Sequence, residues 1–87
     1  MTIQQLIEQG KGRAHNWRVV EDNDNPAVKH LYHYSTNMLT WNHITKEIID
    51  YDLGWGSVSD QNGMNIAFRV LGSKLYFSRN GGAAILD

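Results

Sequence analysis

The chain has 87 residues and a net charge of −1, from eight Lys and Arg against nine Asp and Glu. That length supports one domain (1–87) with one modest core, and it excludes a core plus a deep enclosed substrate chamber. The charge balance lacks the basic excess of a dedicated duplex-DNA binder, and the absence of cysteine excludes disulfides, thiolate metal sites and thiol chemistry.

Met1-Thr2-Ile3-Gln4-Gln5 has neither the basic start nor the apolar stretch of a signal peptide. No apolar run approaches the ~18 residues of a membrane span, so a soluble cytoplasmic protein is expected. Thr2 and Gln5 have capping-box spacing, and Ile3, Leu6 and Ile7 share one helical face, which predicts a short helix over 3–9 stopped at Gly10. Gly12 reads as a further break. Residues 16–21 alternate as a strand, and Asp22-Asn23-Asp24-Asn25-Pro26 is a dense turn signal. A second strand follows over 27–34. Ser35-Thr36-Asn37 reads as a bulge or a turn, with Met38 to Asn42 as a continuation or a new strand.

A loop at 43–46 leads to a strand over 47–53, which breaks at Gly54 and Gly56. Met64, Ala67, Phe68 and Leu71 then recur at i, i+3, i+4 and i+7, the pattern of an amphipathic helix. Ser59 is the expected N-cap, with Ser57 the earlier option, and Asp60 suits the positive end of the helix dipole. Gly72 should end that helix. Lys74 to Ser78 reads as a strand, Asn80-Gly81 as a hairpin turn, and Ala83 to Leu86 as the returning strand. Hairpins without a βαβ rhythm predict an α+β fold: a small antiparallel sheet of five to six strands, with a short N-terminal helix and one amphipathic helix packed on it.

The candidate chemical constellations dissolve on inspection. His30 and His33 are three apart, so a strand points them to opposite faces, and His15 and His43 lie near loops without ligand spacing. No metal site is expected. Asp50 and Asp52 share a strand face, but neither they nor Asp22-Asn23-Asp24-Asn25-Pro26 fits a calcium loop, and edge-strand charge accounts for them better. Gly54–Gly63 offers N–H groups to an anion, but its spacing matches neither the dinucleotide fingerprint nor the Walker loop. A structural strand-to-helix corner is the favoured reading, with anion binding left open. No nucleophile elbow is present, so no catalytic residue and no cofactor is assigned.

Two binding readings remain. Tyrosines and tryptophans are numerous for so small a core, and exposed rings of these types are enriched in protein-interface hot spots. Trp41, Trp55, Ser57, Ser59 and Asn62 form the candidate contact patch, and a homodimer through an edge strand or the aromatic face is plausible. The alternative is single-stranded nucleic acid on Lys11, Arg13, Trp17 and Arg18, where basic groups surround a stacking ring. Its bland counterpart, a solvated loop leading into a strand whose Trp17 faces the core, is favoured.

Tyr34-Ser35-Thr36 followed about twenty residues on by Gly54-Trp55-Gly56-Ser57-x-Ser59-Asp60-x-x-Gly63-x-Asn65 resembles small uncharacterised proteins of phages and prophages. The resemblance spans roughly residues 32–71 and transfers no activity. It implies an accessory protein of a mobile element that binds a host or phage protein, for example an anti-CRISPR-like inhibitor of host defence.

Overall fold

The structure is a computed structural model that describes residues 1–78 and 83–85. The chain runs α1 (Ile3–Gln9), β1 (Gly12–Ala14), β2 (Trp17–Glu21), β3 (Val28–His33), β4 (Thr36–Asn42), β5 (Ile48–Tyr51), α2 (Val58–Val70), β6 (Leu75–Phe77) and β7 (Ala83–Ile85). Strands β1 to β5 pair antiparallel in chain order, and β6 and β7 form a separate two-stranded hairpin. The fold is the expected small antiparallel α+β type. Asn80, Gly81 and Leu86, read as a turn and a strand end, lie outside the described residues.

Local chemistry explains where the elements begin and stop. The Thr2 hydroxyl accepts from the Gln5 N–H while the Gln5 side chain accepts from the Thr2 N–H, a reciprocal capping box. Gly10 ends α1 at φ 67, and a Cβ there would lie 3.0 Å from the His43 ring carbons. Seven residues would not hold a helix alone. Burial of Leu6 and Ile7, with packing of α1 against α2, supplies the missing stability.

Two sequence expectations are corrected and one open choice is settled. Gly12 does not simply break the chain: it opens β1, joined to β2 by the turn at His15 and Asn16. Three residues are too few to show a period, which is why this strand has no sequence signature. The ambiguity at 35–37 resolves as a turn at Tyr34 and Ser35, since His33 pairs with Thr36. Helix α2 is capped by Ser57 rather than Ser59, because Asp60 completes a capping box with it.

Strand alternation then sorts the main sheet. Trp17, Leu31, His33, Leu39 and Trp41 turn to the core, with Val19 half-buried beside them, while Arg18, His30, Tyr32 and Thr40 take the opposite face. A bulge between Leu31 and Tyr32 leaves Met38 as the extra residue of β4, so Met38 and Leu39 are both buried although adjacent. Helix α2 lies on the core face, with Gly63 near Trp17 and the Phe68 ring edge-on to Tyr51 at 5.8 Å.

Gly63 is the position where that packing is tightest. A Cβ there would stand 2.2 Å from Trp17 Cζ2. Gly63→Ala should gain about 1 kcal/mol in helix propensity, yet overpacking costs about 1–3 kcal/mol. Net destabilisation is therefore expected in urea denaturation. In a Trp17→Leu background the same change should become neutral or stabilising; destabilisation of equal size in both backgrounds would refute the clash.

Candidate functional site

Three backbone segments converge at one end of the main sheet: the turns at His15–Asn16 and Tyr34–Ser35, and the corner from Gly54 to Ser57. His15 and Tyr34 adopt positive φ of 55 and 56 without being glycine, a conformation that costs energy and needs support from its surroundings. The turns hold one another. Tyr34 N–H donates to the Asn16 carbonyl at 2.8 Å, Asn16 Nδ2 donates to the Tyr34 hydroxyl at 2.9 Å, and Arg18 donates to the Tyr34 carbonyl at 2.6 Å.

Asp60 organises the corner. It is 3% exposed, and its Oδ2 accepts from the Trp55 and Ser57 N–H groups, each at 3.2 Å. Its Oδ1 receives His33 Nδ1 at 2.6 Å. The Asp60 N–H in turn donates to the Ser57 hydroxyl at 3.2 Å. Gly54 N–H is taken by Asp52 Oδ1 and Gly56 N–H by the Leu53 carbonyl. Two N–H groups of the corner, those of Trp55 and Ser57, are thus aimed at one anion, and that anion is the chain's own carboxylate.

His33 is 5% exposed and lies flat on Trp17, with ring centroids 4.0 Å apart and planes 7° from parallel. Tyr34 tilts over it at 4.6 Å. Burial works to raise the Asp60 carboxyl, but the hydrogen bonds from His33 and Ser57 win and hold it below its ordinary value. An ionised Asp60 can only accept, so His33 Nδ1 is the donor, and in the neutral imidazole Nε2 is then an acceptor. Among the described residues Nε2 has no hydrogen-bond partner, and no fully buried polar side-chain atom lacks one, so Nε2 reaches open space.

That space consists of two clefts that share His33 and Ser59. One, of about 410 Å³, is bordered by Tyr34, Ser35, Trp55 and Ser57. The other, of about 390 Å³, is bordered by Ile3, Ala14, Asn16 and Trp17. Trp55, Ser57 and Ser59 of the candidate patch therefore come together, and Trp55 is 93% exposed. Asn62 is exposed on α2 and borders neither cleft. Trp41 is corrected: it is 0% exposed in the core, because alternation along β4 turns it inward with Leu39.

The nucleic-acid reading loses its ring. Lys11 and Arg13 are exposed, but Trp17 is 5% exposed and occupied by His33. Arg18 is half-buried, with its guanidinium 4.6 Å above the Tyr32 ring. His30 and His33 do fall on opposite faces; His30 Nε2 meets Asp22 Oδ1 at 2.8 Å, a contact that leads the influences lowering the Asp22 carboxyl. His43 is half-buried, and desolvation first, then Lys46 and Lys29, lower its pKa.

The His33–Asp60 pair had no signature in the sequence, because its members stand 27 positions apart. One signal was available: His33 shares the inward alternation of Leu31, which marks it as a buried histidine in need of a partner.

No family model, curated protein or solved structure matches the chain.

A depressed carboxylate contributes stability that is present above the unfolded value, about 3.9, and is lost as pH falls through the folded one. Wild-type stability should therefore fall between about pH 5 and pH 2. Asp60→Asn should cost about 2–3 kcal/mol at neutral pH and flatten that acid slope. Some slope will remain because Asp22 is lowered as well. Urea unfolding at a series of pH values reads both effects, and an unchanged slope in the variant would rule out the pair as its source.

Proposed function

We propose that this chain is a non-enzymatic binding module that works by protein–protein contact, with Trp55 as its central contact. The observation that carries this reading is a tryptophan 93% exposed on a corner whose backbone is fixed by a buried carboxylate. A large apolar ring on a rigid support loses little entropy on binding and is the residue type most enriched among interface hot spots. Tyr34, 63% exposed, stands across the same cleft.

A buried Asp–His pair also orients the general base of many hydrolases. Here no hydroxyl lies within hydrogen-bond distance of His33 Nε2 among the described residues. The Ser57 and Ser59 hydroxyls instead face each other at 3.3 Å, and Ser57 is committed to capping α2. Recognition is the better-supported use of this surface. The resemblance to phage and prophage proteins gives the finer version of the reading: a partner among the defence or regulatory proteins of a bacterial host, inhibited by occlusion.

Tagged wild-type protein should retain a specific protein from host lysate, and Trp55→Ala should weaken that purified complex by about 2 kcal/mol or more. The substitution should change folding stability by less than about 0.5 kcal/mol, since the ring is exposed. Undiminished binding by Trp55→Ala, or recovery of nucleic acid with no protein, would overturn the reading.

A further inference from the structure

We infer that the cleft between Trp55, Tyr34 and His33 is a receptor for a guanidinium group, an arginine side chain of the partner. The inference rests on the binding-module reading and names the chemistry of its contact. His33 borders this cleft with a side chain that is itself 5% exposed and clamped on three sides, so its Nε2, an acceptor in the neutral imidazole, is fixed in place. Asp60 holds Nδ1, Trp17 covers one ring face, and Tyr34 leans on the ring at 4.6 Å. A fixed, unpartnered acceptor asks for a donor.

The charge of the site decides what kind of donor. Beside a neutral His33, Asp60 contributes a full negative charge, of which the N-terminus of α2 offsets only about half. Among the residues bordering the Trp55 cleft there is no Lys or Arg. The guanidinium of Arg18 is turned to the Tyr34 carbonyl and the Tyr32 ring. The cleft thus has a negative base and no cation of its own. Its rims are the two exposed rings Trp55 and Tyr34, whose faces attract cations. The hydroxyls of Ser35, Ser57 and Ser59 border the same space as further acceptors.

A planar guanidinium satisfies these features together. It stacks on an aromatic face, donates through several N–H groups in one plane, and is weakly enough hydrated to enter a half-enclosed site. An ammonium offers charge without the plane. A phosphate or carboxylate would approach Asp60, and the N–H groups of the corner that could receive it are already occupied. A metal ion would find His33 and Asp60 without a third ligating side chain among the described residues.

The test needs no partner protein. The full chain, labelled with nitrogen-15, is titrated with N-acetyl-arginine methylamide at about pH 8, above the ordinary histidine range, and followed through the Trp55 indole and His33 imidazole resonances. Saturable shifts confined to this cleft are expected, with roughly millimolar affinity for so small a probe. The citrulline analogue, equal in shape but uncharged, should bind about tenfold more weakly or worse. Trp55→Ala, which leaves the core untouched, should also weaken the arginine probe several-fold. Absence of shifts, equal shifts with citrulline, or a preference for the lysine analogue would each overturn the assignment. Because the probe is read without a partner, a silent cleft beside a Trp55-dependent complex would sink only the guanidinium assignment. A partner complex indifferent to Trp55 would sink the wider reading.

Discussion

The hydrogen bond between His33 and Asp60 joins the sheet to the helix that covers it. A carboxylate taken out of water needs compensation, and here it comes from three donors: an imidazole from β3 and the N–H groups of Trp55 and Ser57 in the corner. The same contacts fix the position of Trp55, the rotamer of His33 and the start of the helix. Trp17 then lies flat on His33 and brings its far edge to Gly63, so the indole is held between a ring and a backbone. Removing any one member exposes the cost of the others, which is why the arrangement behaves as a unit.

Much of the fold was legible because its signals are local. The capping box of Thr2 and Gln5, the glycine at position 10 and the helical spacing of Met64, Ala67, Phe68 and Leu71 each depend on neighbours within two turns. The strands expected at 16–21 and 27–34 followed from alternation and from aromatic and β-branched content, and the inward face of Trp17 followed with the first. What could not be read depends on distant partners. β1 exists because β2 needs a neighbour, not because Gly12-Arg13-Ala14 favours extension. The bulge at Met38 is set by register against β3, and Trp41 was misplaced as a contact residue because aromatic content says nothing about the face a ring occupies. Trp55, Ser57 and Ser59 border one cleft, but the histidine and carboxylate beneath them were not connected in the sequence reading.

The phage-like pattern gains a physical account residue by residue. Gly54 takes φ 61 directly over Met38, whose sulfur would lie 2.8 Å from a Cβ there. Ser57 caps α2, Asp60 is the buried carboxylate, and Gly63 makes room for Trp17. Asn65 both donates to the Phe77 carbonyl at 3.1 Å and accepts from its N–H at 2.7 Å, tying β6 to α2. Tyr34 sits at positive φ in the turn that closes on Asn16. These six positions of the pattern are thus occupied by architecture. Trp55 stands apart: nothing in the fold needs its ring, and the fold nevertheless holds it out to solvent.

The chain-order pairing of β1 to β5 has a kinetic side. Each strand finds its partner across a short connection, so the main sheet can zip up through local loop closures that cost little entropy. The long closures are reserved for the docking of α2, which must bring Asp60 back to His33 and Gly63 back to Trp17. The sheet is therefore built from contacts between chain neighbours, while the covering of its inward face depends on contacts that reach far along the chain. Because Asp60 fixes the corner and the start of α2 together, a chain that holds Trp55 in this position is one whose helix is seated on the core.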